Sequence, residues 1–259
     1  MSILLPEDFI PFANQLANVS GEVIRRYYKK RITVEIKDDD SPVTKADKEV
    51  ERSLRALIRA SHPEHGIIGE EFEEVNPQAE YKWIIDPIDG TKSFMIGRPI
   101  FGTLIALLHN DKPILGVIDQ PILGERWTGV KGFATNFNYE PTETRSCSSL
   151  DQATLCTTSP GMFNGKDFPK FEKVRKESRY AVYGGDCYSY GLLANGLVDV
   201  VIETDLKVHD FCALAPIVEG AKGVFTDWQG RKVTPYSDGR VIAAGDARVH
   251  EQALKMLNG

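Results

Sequence analysis

The most constraining stretch of this 259-residue chain is Trp83-Ile84-Ile85-Asp86-Pro87-Ile88-Asp89-Gly90-Thr91-Lys92-Ser93-Phe94. An apolar run that reads as a buried strand stops at two carboxylates three positions apart, and Gly90-Thr91 then opens toward a helix. Carboxylates held this close repel each other unless a cation stands between them, and oxygen ligands favour a hard divalent ion such as Mg²⁺. Pro87 stiffens the turn, while Gly90 and Thr91 can aim backbone N–H groups at an anion as a helix N-terminus does. A metal beside an anion cradle points to phosphate. The same residue types also make an ordinary surface turn, so the choice between the two rests on the remaining chain.

With 42% hydrophobic and 26% charged residues the chain is long enough for one large domain or two closely packed halves. A formal net charge of -6, with no dense Lys/Arg cluster, excludes a nucleic-acid-binding surface. Cys147, Cys156, Cys187 and Cys212 show no CxxC spacing, so reduced thiols are expected rather than a zinc site or a disulfide framework. The first twelve residues lack a basic start with a long apolar core, and no run approaches the roughly 18 apolar residues of a membrane span. A cytoplasmic protein with no membrane partner is the expectation.

Residues 7–29 place Phe9, Phe12, Ala13, Leu16, Val19, Val23, Ile24 and Tyr27 at helical spacing after Pro6. Ile32, Val34 and Ile36 alternate before an acidic loop from Lys37 to Pro42. Thr44-Lys45-Ala46-Asp47 then opens a second helix, in which Asp47 reads either as the acid of a capping box or as a catalytic group. Residues 67–72 read as a short strand ending in Glu70 and Glu71, where Gly69 lets the backbone bend toward a site or the acids merely charge an edge. Strands at 100–108 and 114–118, a turn at 111–113, and a meander through 126–129 and 132–135 complete an antiparallel first half.

The polar segment 141–149 marks a subdomain boundary, dividing residues 1–145 from 146–259 within one compact unit. Strands near 153–157, 179–183, 198–202, 223–227 and 241–245 alternate with helices at 168–178, after Gly184-Gly185, at 211–219 and at the C-terminus. That alternation is an α/β half. Glu70, Asp86, Asp89, Glu203 and Asp210 all sit where a strand stops or a helix starts, which is where layered α/β structures gather ligands.

These elements resemble the inositol monophosphatase family of metal-dependent phosphomonoesterases. The likeness rests on Gly69-Glu70-Glu71, the 83–94 motif, His209-Asp210 leading toward Gly220, and Asp47 in its Thr-x-x-Asp helix start, in that order along nearly the whole chain. It implies an α/β (α+β) fold, a layered αβαβα sandwich, usually dimeric, with metals between the halves. It also implies that Glu70, Asp86 and the Ile88 carbonyl hold one Mg²⁺, that Asp86, Asp89 and Asp210 hold a second, and that Glu70 helps with a weaker third. Gly90 and Thr91 would receive phosphate, and the Thr91 hydroxyl and Asp47 would orient the water. Most metal ligands would lie in 1–145, with the last ligand and the substrate contacts in 146–259. The reaction implied is direct in-line attack by a metal-activated water. A covalent nucleophile is not indicated, because Ser93 and Cys187 have no evident partner base in the sequence.

His209-Asp210 replaces the common Trp-Asp, Leu214 stands where a small residue is usual, Lys222 interrupts a glycine pair and Ile96 replaces a polar residue. Residues 183–188, 216–221 and 226–228, with Gly97-Arg98-Pro99 and 119–127, resemble instead the histidinol-phosphate phosphatases of the family, which act in histidine biosynthesis. Gly185, Asp186 and Glu203 are the candidate substrate contacts, the two acids suiting an ammonium and an imidazole. Asp186 reads equally as an N-cap, His209 as a packed wall of the site in preference to a metal ligand, given the surrounding oxygen set, and Lys37 and Arg98 as solvated cations or phosphate attractors. The alternatives are an inositol-1-monophosphatase or other small-molecule phosphatase of the same family, and a non-catalytic metal- or phosphate-binding regulator.

Overall fold

The computed structural model describes residues 6–31, 33–36 and 42–259. Ile32, the acidic segment at 37–41 and Lys37 as a phosphate contact lie outside the described residues. A 3-10 turn at Pro6–Phe9 enters α1 (Ile10–Tyr27), and β1 (Val34–Ile36) pairs antiparallel with β2 (Pro42–Thr44) ahead of α2 (Lys45–Ser61). One sheet then takes β3 (Gly66–Gly69), β4 (Tyr81–Asp89), β5 (Gly102–His109), β6 (Lys112–Gln120), β7 (Glu125–Val130), β8 (Asn136–Phe137) and β9 (Glu140–Pro141) in sequence order, with α3 (Thr91–Met95) between β4 and β5. Only β3 and β4 run parallel in it.

The chain continues through β10 (Thr154–Thr157), α4 (Asp167–Glu177), β11 (Tyr180–Tyr183), α5 (Asp186–Ala194), β12 (Val200–Glu203), α6 (Val208–Phe211), α7 (Leu214–Gly220), β13 (Val224–Asp227), β14 (Val241–Ala244) and α8 (Ala247–Asn258). These five strands form a second, mixed sheet in the order β11-β10-β12-β14-β13.

Three apolar cores separate five layers. Trp83, Ile85, Ile105, Leu107 and Val117 of the first sheet meet Leu16, Ile24, Leu54 and Ile58 of α1 and α2. Their strand neighbours Ile84, Leu104, Ala106 and Ile118 point the other way, toward Leu193, Phe211 and Ile217 of α5, α6 and α7, which also touch Val201 and Ala243 of the second sheet. Val200, Ile202 and Ile242 face Phe171, Val174, Val249 and Leu257 of α4 and α8. The order is the expected αβαβα sandwich. Because both faces of the first sheet are covered, its central strands are apolar at nearly every position instead of alternating. Burying each large side chain in these cores contributes about 1.5–3 kcal/mol.

Two glycines set how near the middle layer approaches. A Cβ on Gly116 would run into the carbonyl of Ala213, and one on Gly129 would stand 2.5 Å from the Ile217 backbone, so α7 lies directly on β6 and β7. Among the described residues no helix is long and apolar enough to cross a membrane, and all four cysteines are free.

The structure corrects several boundaries. The expected helix over 211–219 is two helices, because Pro216 can neither donate to the Cys212 carbonyl nor clear it, so α6 ends at Phe211 and α7 starts at Leu214. Asp210 therefore lies inside α6. The turn before β6 is Asn110-Asp111, both left-handed (φ 48 and 60°), which suits a two-residue hairpin, and Pro113 sits inside the strand beside a register shift. Residues 132–135 do not extend the meander as a strand, since β7 ends at Val130 and Gly132 turns at φ 88°.

Candidate active site

The acid motif does not end its strand. β4 runs on to Asp89, and the pairing with β5 slips between Asp86, opposite Leu104, and Asp89, opposite Gly102. Pro87 has no N–H to give the ladder, and its carbonyl accepts the Thr103 hydroxyl at 2.9 Å. The bulge turns both acids toward the middle layer. β3 lies parallel to β4 with Gly69 opposite Ile85, which brings Glu70 beside Asp86. α6 packs against β4 and delivers His209 and Asp210.

Two donor groups result. Carboxylate oxygens of Asp86, Asp89 and Asp210 lie within 4.8 Å of one another, as do those of Glu70 and Asp86 with a ring nitrogen of His209. Asp86 belongs to both. Burial pushes the Asp86 carboxyl well above the ordinary range, and Glu70, Asp89, Asp210 and Asp47 push the same way. Asp89 is likewise raised, by burial first and then by Asp186 and Asp210, against the pull of the Cys187 N–H, which donates to its Oδ2 at 2.5 Å. Asp210 is raised mainly by burial while Oδ2 accepts the Lys207 N–H at 2.7 Å. The Ile88 N–H donates to Asp86 Oδ1 at 3.0 Å, and the Ile88 carbonyl accepts the Thr91 hydroxyl at 3.1 Å.

Asp47 is the acid of the expected capping box and keeps one oxygen out of it. Its Oδ2 accepts the Thr44 N–H at 2.8 Å and the Thr44 hydroxyl at 2.5 Å, completing a capping box at the start of α2. Its Oδ1 is buried without a hydrogen-bond partner. Burial raises its pKa to about 6, with Glu70 adding to the shift and the Thr44 bonds opposing it. A buried orphan oxygen beside crowded, mutually repelling carboxylates is the donor chemistry that suits hard divalent cations, so these residues fit the metals implied by the resemblance.

Beside the acids lies a pocket of about 100 Å³ whose lining includes Asp89, Asp186, Glu203 and Asp210 together with Tyr190 and Leu206. Glu203 is held from two sides: the Thr158 N–H donates to Oε1 at 2.9 Å and the Tyr190 hydroxyl to Oε2 at 2.8 Å. Its pKa is raised to about 7, burial outweighing those bonds. Asp186 is not an N-cap. It is the first residue of α5, at φ 45°, while Gly185 at φ 120° occupies the cap and stands outside the pocket lining. The Asp186 Oδ2 accepts the Ser93 hydroxyl at 3.3 Å and would stand 2.9 Å from a Cβ on Gly90. Burial raises its pKa, against the pull of Ser93, Thr158, Lys92 and Arg98. Ser93 thus has a carboxylate partner that the sequence did not reveal, and the Cys187 thiol is pushed up by burial and Asp89.

Tyr190, Thr158 and Glu51 were missed by reading the sequence. Tyr190 lies four residues after Asp186 on one helix face, a spacing that could have paired them, but beside Leu192, Leu193 and Ala194 nothing local sets it apart from the core. Glu51 stands four residues after Asp47 and accepts the Glu71 N–H at 2.8 Å, yet it reads as one more surface acid until its burial is known.

Known proteins resemble this chain along most of its length. The profile of the inositol monophosphatase family matches residues 5–258. The chain is 48% identical over 258 residues to the bifunctional chloroplastic phosphatase IMPL2 of Arabidopsis thaliana, covering 96% of this chain and 75% of that protein. It is 34% identical over 236 residues to a histidinol-phosphatase of Chlorobaculum parvum, covering 90% and 91%. Among solved structures, an inositol monophosphatase from Zymomonas mobilis superposes with a TM-score of 0.91 at 47% identity, covering 99% of this chain and 100% of that one.

Proposed function

Because this chain belongs to the inositol monophosphatase family and is a metal-dependent phosphomonoesterase, we propose that it hydrolyses L-histidinol phosphate to L-histidinol and phosphate. The observation that carries this reading is the acidic wall of the pocket, where Asp186 and Glu203 stand next to the metal-site acids. A leaving group bearing an ammonium and an imidazole finds two acceptor carboxylates there, one fixed by Thr158 and Tyr190 and the other by Ser93. The histidinol-phosphatase names among its relatives support the same substrate.

In this reading Glu70, Asp86, the Ile88 carbonyl, Asp89 and Asp210 hold two or three Mg²⁺. Bound divalent cations would neutralise the phosphomonoester, lower the pKa of water and stabilise the entering and leaving oxygens. Gly90 and Thr91 receive the phosphate through backbone N–H groups. The free Oδ1 of Asp47 and the Thr91 hydroxyl hold and orient the attacking water, with Glu70 completing the catalytic set. Gly185, at its left-handed φ, sets Asp186 at the pocket edge, and attack is in line without a covalent intermediate. The protein acts as a cytoplasmic homodimer, which cell fractionation and sedimentation of the purified chain test.

Phosphate release from L-histidinol phosphate, inositol monophosphate and adenosine 3′,5′-bisphosphate, with Mg²⁺ and then with chelator, tests the proposal. Fastest turnover of histidinol phosphate, abolished by chelator, is expected. Fastest turnover of the inositol phosphate would favour the second reading, which the Zymomonas mobilis relative supports.

A further inference from the structure

We propose that His209 is a metal ligand, completing the position formed by Glu70 and Asp86 with an imidazole nitrogen. The mixed nitrogen and oxygen set shifts that position's preference from Mg²⁺ toward Zn²⁺, Co²⁺ or Mn²⁺. The inference rests on the reading of Glu70 and Asp86 as metal ligands.

Geometry points to it. A ring nitrogen of His209 lies within 4.8 Å of a carboxylate oxygen of Glu70 and of Asp86, which are equally near each other. His209 Nε2 stands 3.4 Å from Asp210 Oδ1, so the polar edge of the ring faces the acids and not the apolar core. A packed wall would present its carbon face. The partnerless buried Oδ1 of Asp47, on which the Glu70 charge acts, is a second sign that something cationic belongs in this corner. An imidazole is a softer donor than a carboxylate and suits Zn²⁺ and the later divalent ions, whereas Mg²⁺ takes oxygen.

A second histidine group shows the difference. His62, Glu64 and His65 also lie within 4.8 Å of one another. There, however, the Trp83 indole N–H donates to His65 Nδ1 at 3.1 Å, which leaves the ring proton on Nε2 beside Glu64 and occupies both nitrogens. His65 is further stacked between His62 and Tyr81. That group is aromatic packing.

The test loads metal-free protein with Mn²⁺ alone and reads the electron spin-echo modulation for nitrogen coupling from a coordinated imidazole. The wild-type chain should show it, and His209→Phe and His209→Gln should not. Titration calorimetry should give Zn²⁺ binding weaker by ~10-fold or more in either variant, with Mg²⁺ binding held. Absence of nitrogen coupling in the wild type, or its persistence in both variants, would overturn the proposal. Asp86→Asn serves as the control: if it binds Mn²⁺ as the wild type does, the underlying assignment of the metal position fails instead.

Discussion

Asp47 divides its two oxygens between structure and chemistry, one closing the capping box of α2 and the other left bare in the site. The crowded acids behave alike: each is costly to keep ionised without a cation, and that cost is what suits them to holding one. Asp89→Asn or Asp210→Asn should therefore lower phosphatase kcat by roughly 10²-fold or more. Each should leave the thermal midpoint of the metal-free protein unchanged or higher. Unchanged turnover in either variant would contradict the metal assignment. Tyr190→Phe removes the donor to Glu203 Oε2 and leaves a buried acceptor bonded only through Oε1, at a cost of about 1–3 kcal/mol in stability. Its KM for histidinol phosphate should change more than its kcat if Glu203 receives the leaving group, which steady-state kinetics would show.

α2 carries the site on one stripe, with Asp47, Glu51 and Arg55 at successive helical turns. Glu51 is fully buried, bonded to Arg55 Nε at 2.7 Å, and Arg55 in turn donates to the Phe72 and Glu73 carbonyls. The turn that presents Glu70 is thus tied to the helix that presents Asp47. Gly69 is needed there, since a Cβ would overlap the Glu51 carboxylate. Gly69→Ala and Glu51→Gln should each destabilise the protein, Glu51→Gln by about 1–3 kcal/mol in denaturant unfolding. Each should also raise the Mg²⁺ concentration needed for half-maximal activity. Activation by Mg²⁺ identical to wild type would show that this tie does not position Glu70. Sequence reading located these elements well, because helical spacing and caps are local. It missed the Pro87 bulge and the break before α7, where one proline's lost N–H outweighs an apolar pattern.

The whole molecule encloses these acids between a sheet and a helix layer, and its stability should depend on pH accordingly. Asp47, at about 6, and Glu203, at about 7, have folded pKa values above the ordinary carboxylate range, and Asp86 and Asp89 move the same way. The folded chain then binds protons more tightly than the unfolded one. Its extra stability is full below about pH 4 and is lost as pH rises through about 6 to 7. Asp246, held low by Arg248, works in the opposite sense at the acid end, and His62, His65 and His250, which burial holds below the ordinary imidazole range, do so as pH falls through about 6.5. The raised acids outnumber those histidines, so the thermal midpoint in chelator should rise as pH is lowered from about 8 to about 5, less so in Glu203→Gln, and added Mg²⁺ should raise it most at the alkaline end. A Glu203→Gln profile identical to that of the wild type would show that the fold does not hold the Glu203 carboxyl above the ordinary range.

By itself the sequence carried the local elements, and its resemblance to a known family implied the reaction class and the order of the layers. The 83–94 motif, the capped helix start at Asp47 and the alternation of strands and helices are all written within a few residues of one another. Tertiary structure alone decided which distant groups meet. The Cys187 N–H grips Asp89 across 98 positions, Ser93 bonds Asp186 across 93, and His209 turns its nitrogen edge toward Glu70 and Asp86. Short-range sterics and hydrogen bonding leave their mark on neighbouring residue types. Contacts made by packing one layer on another depend on volumes and approach distances that no local pattern records.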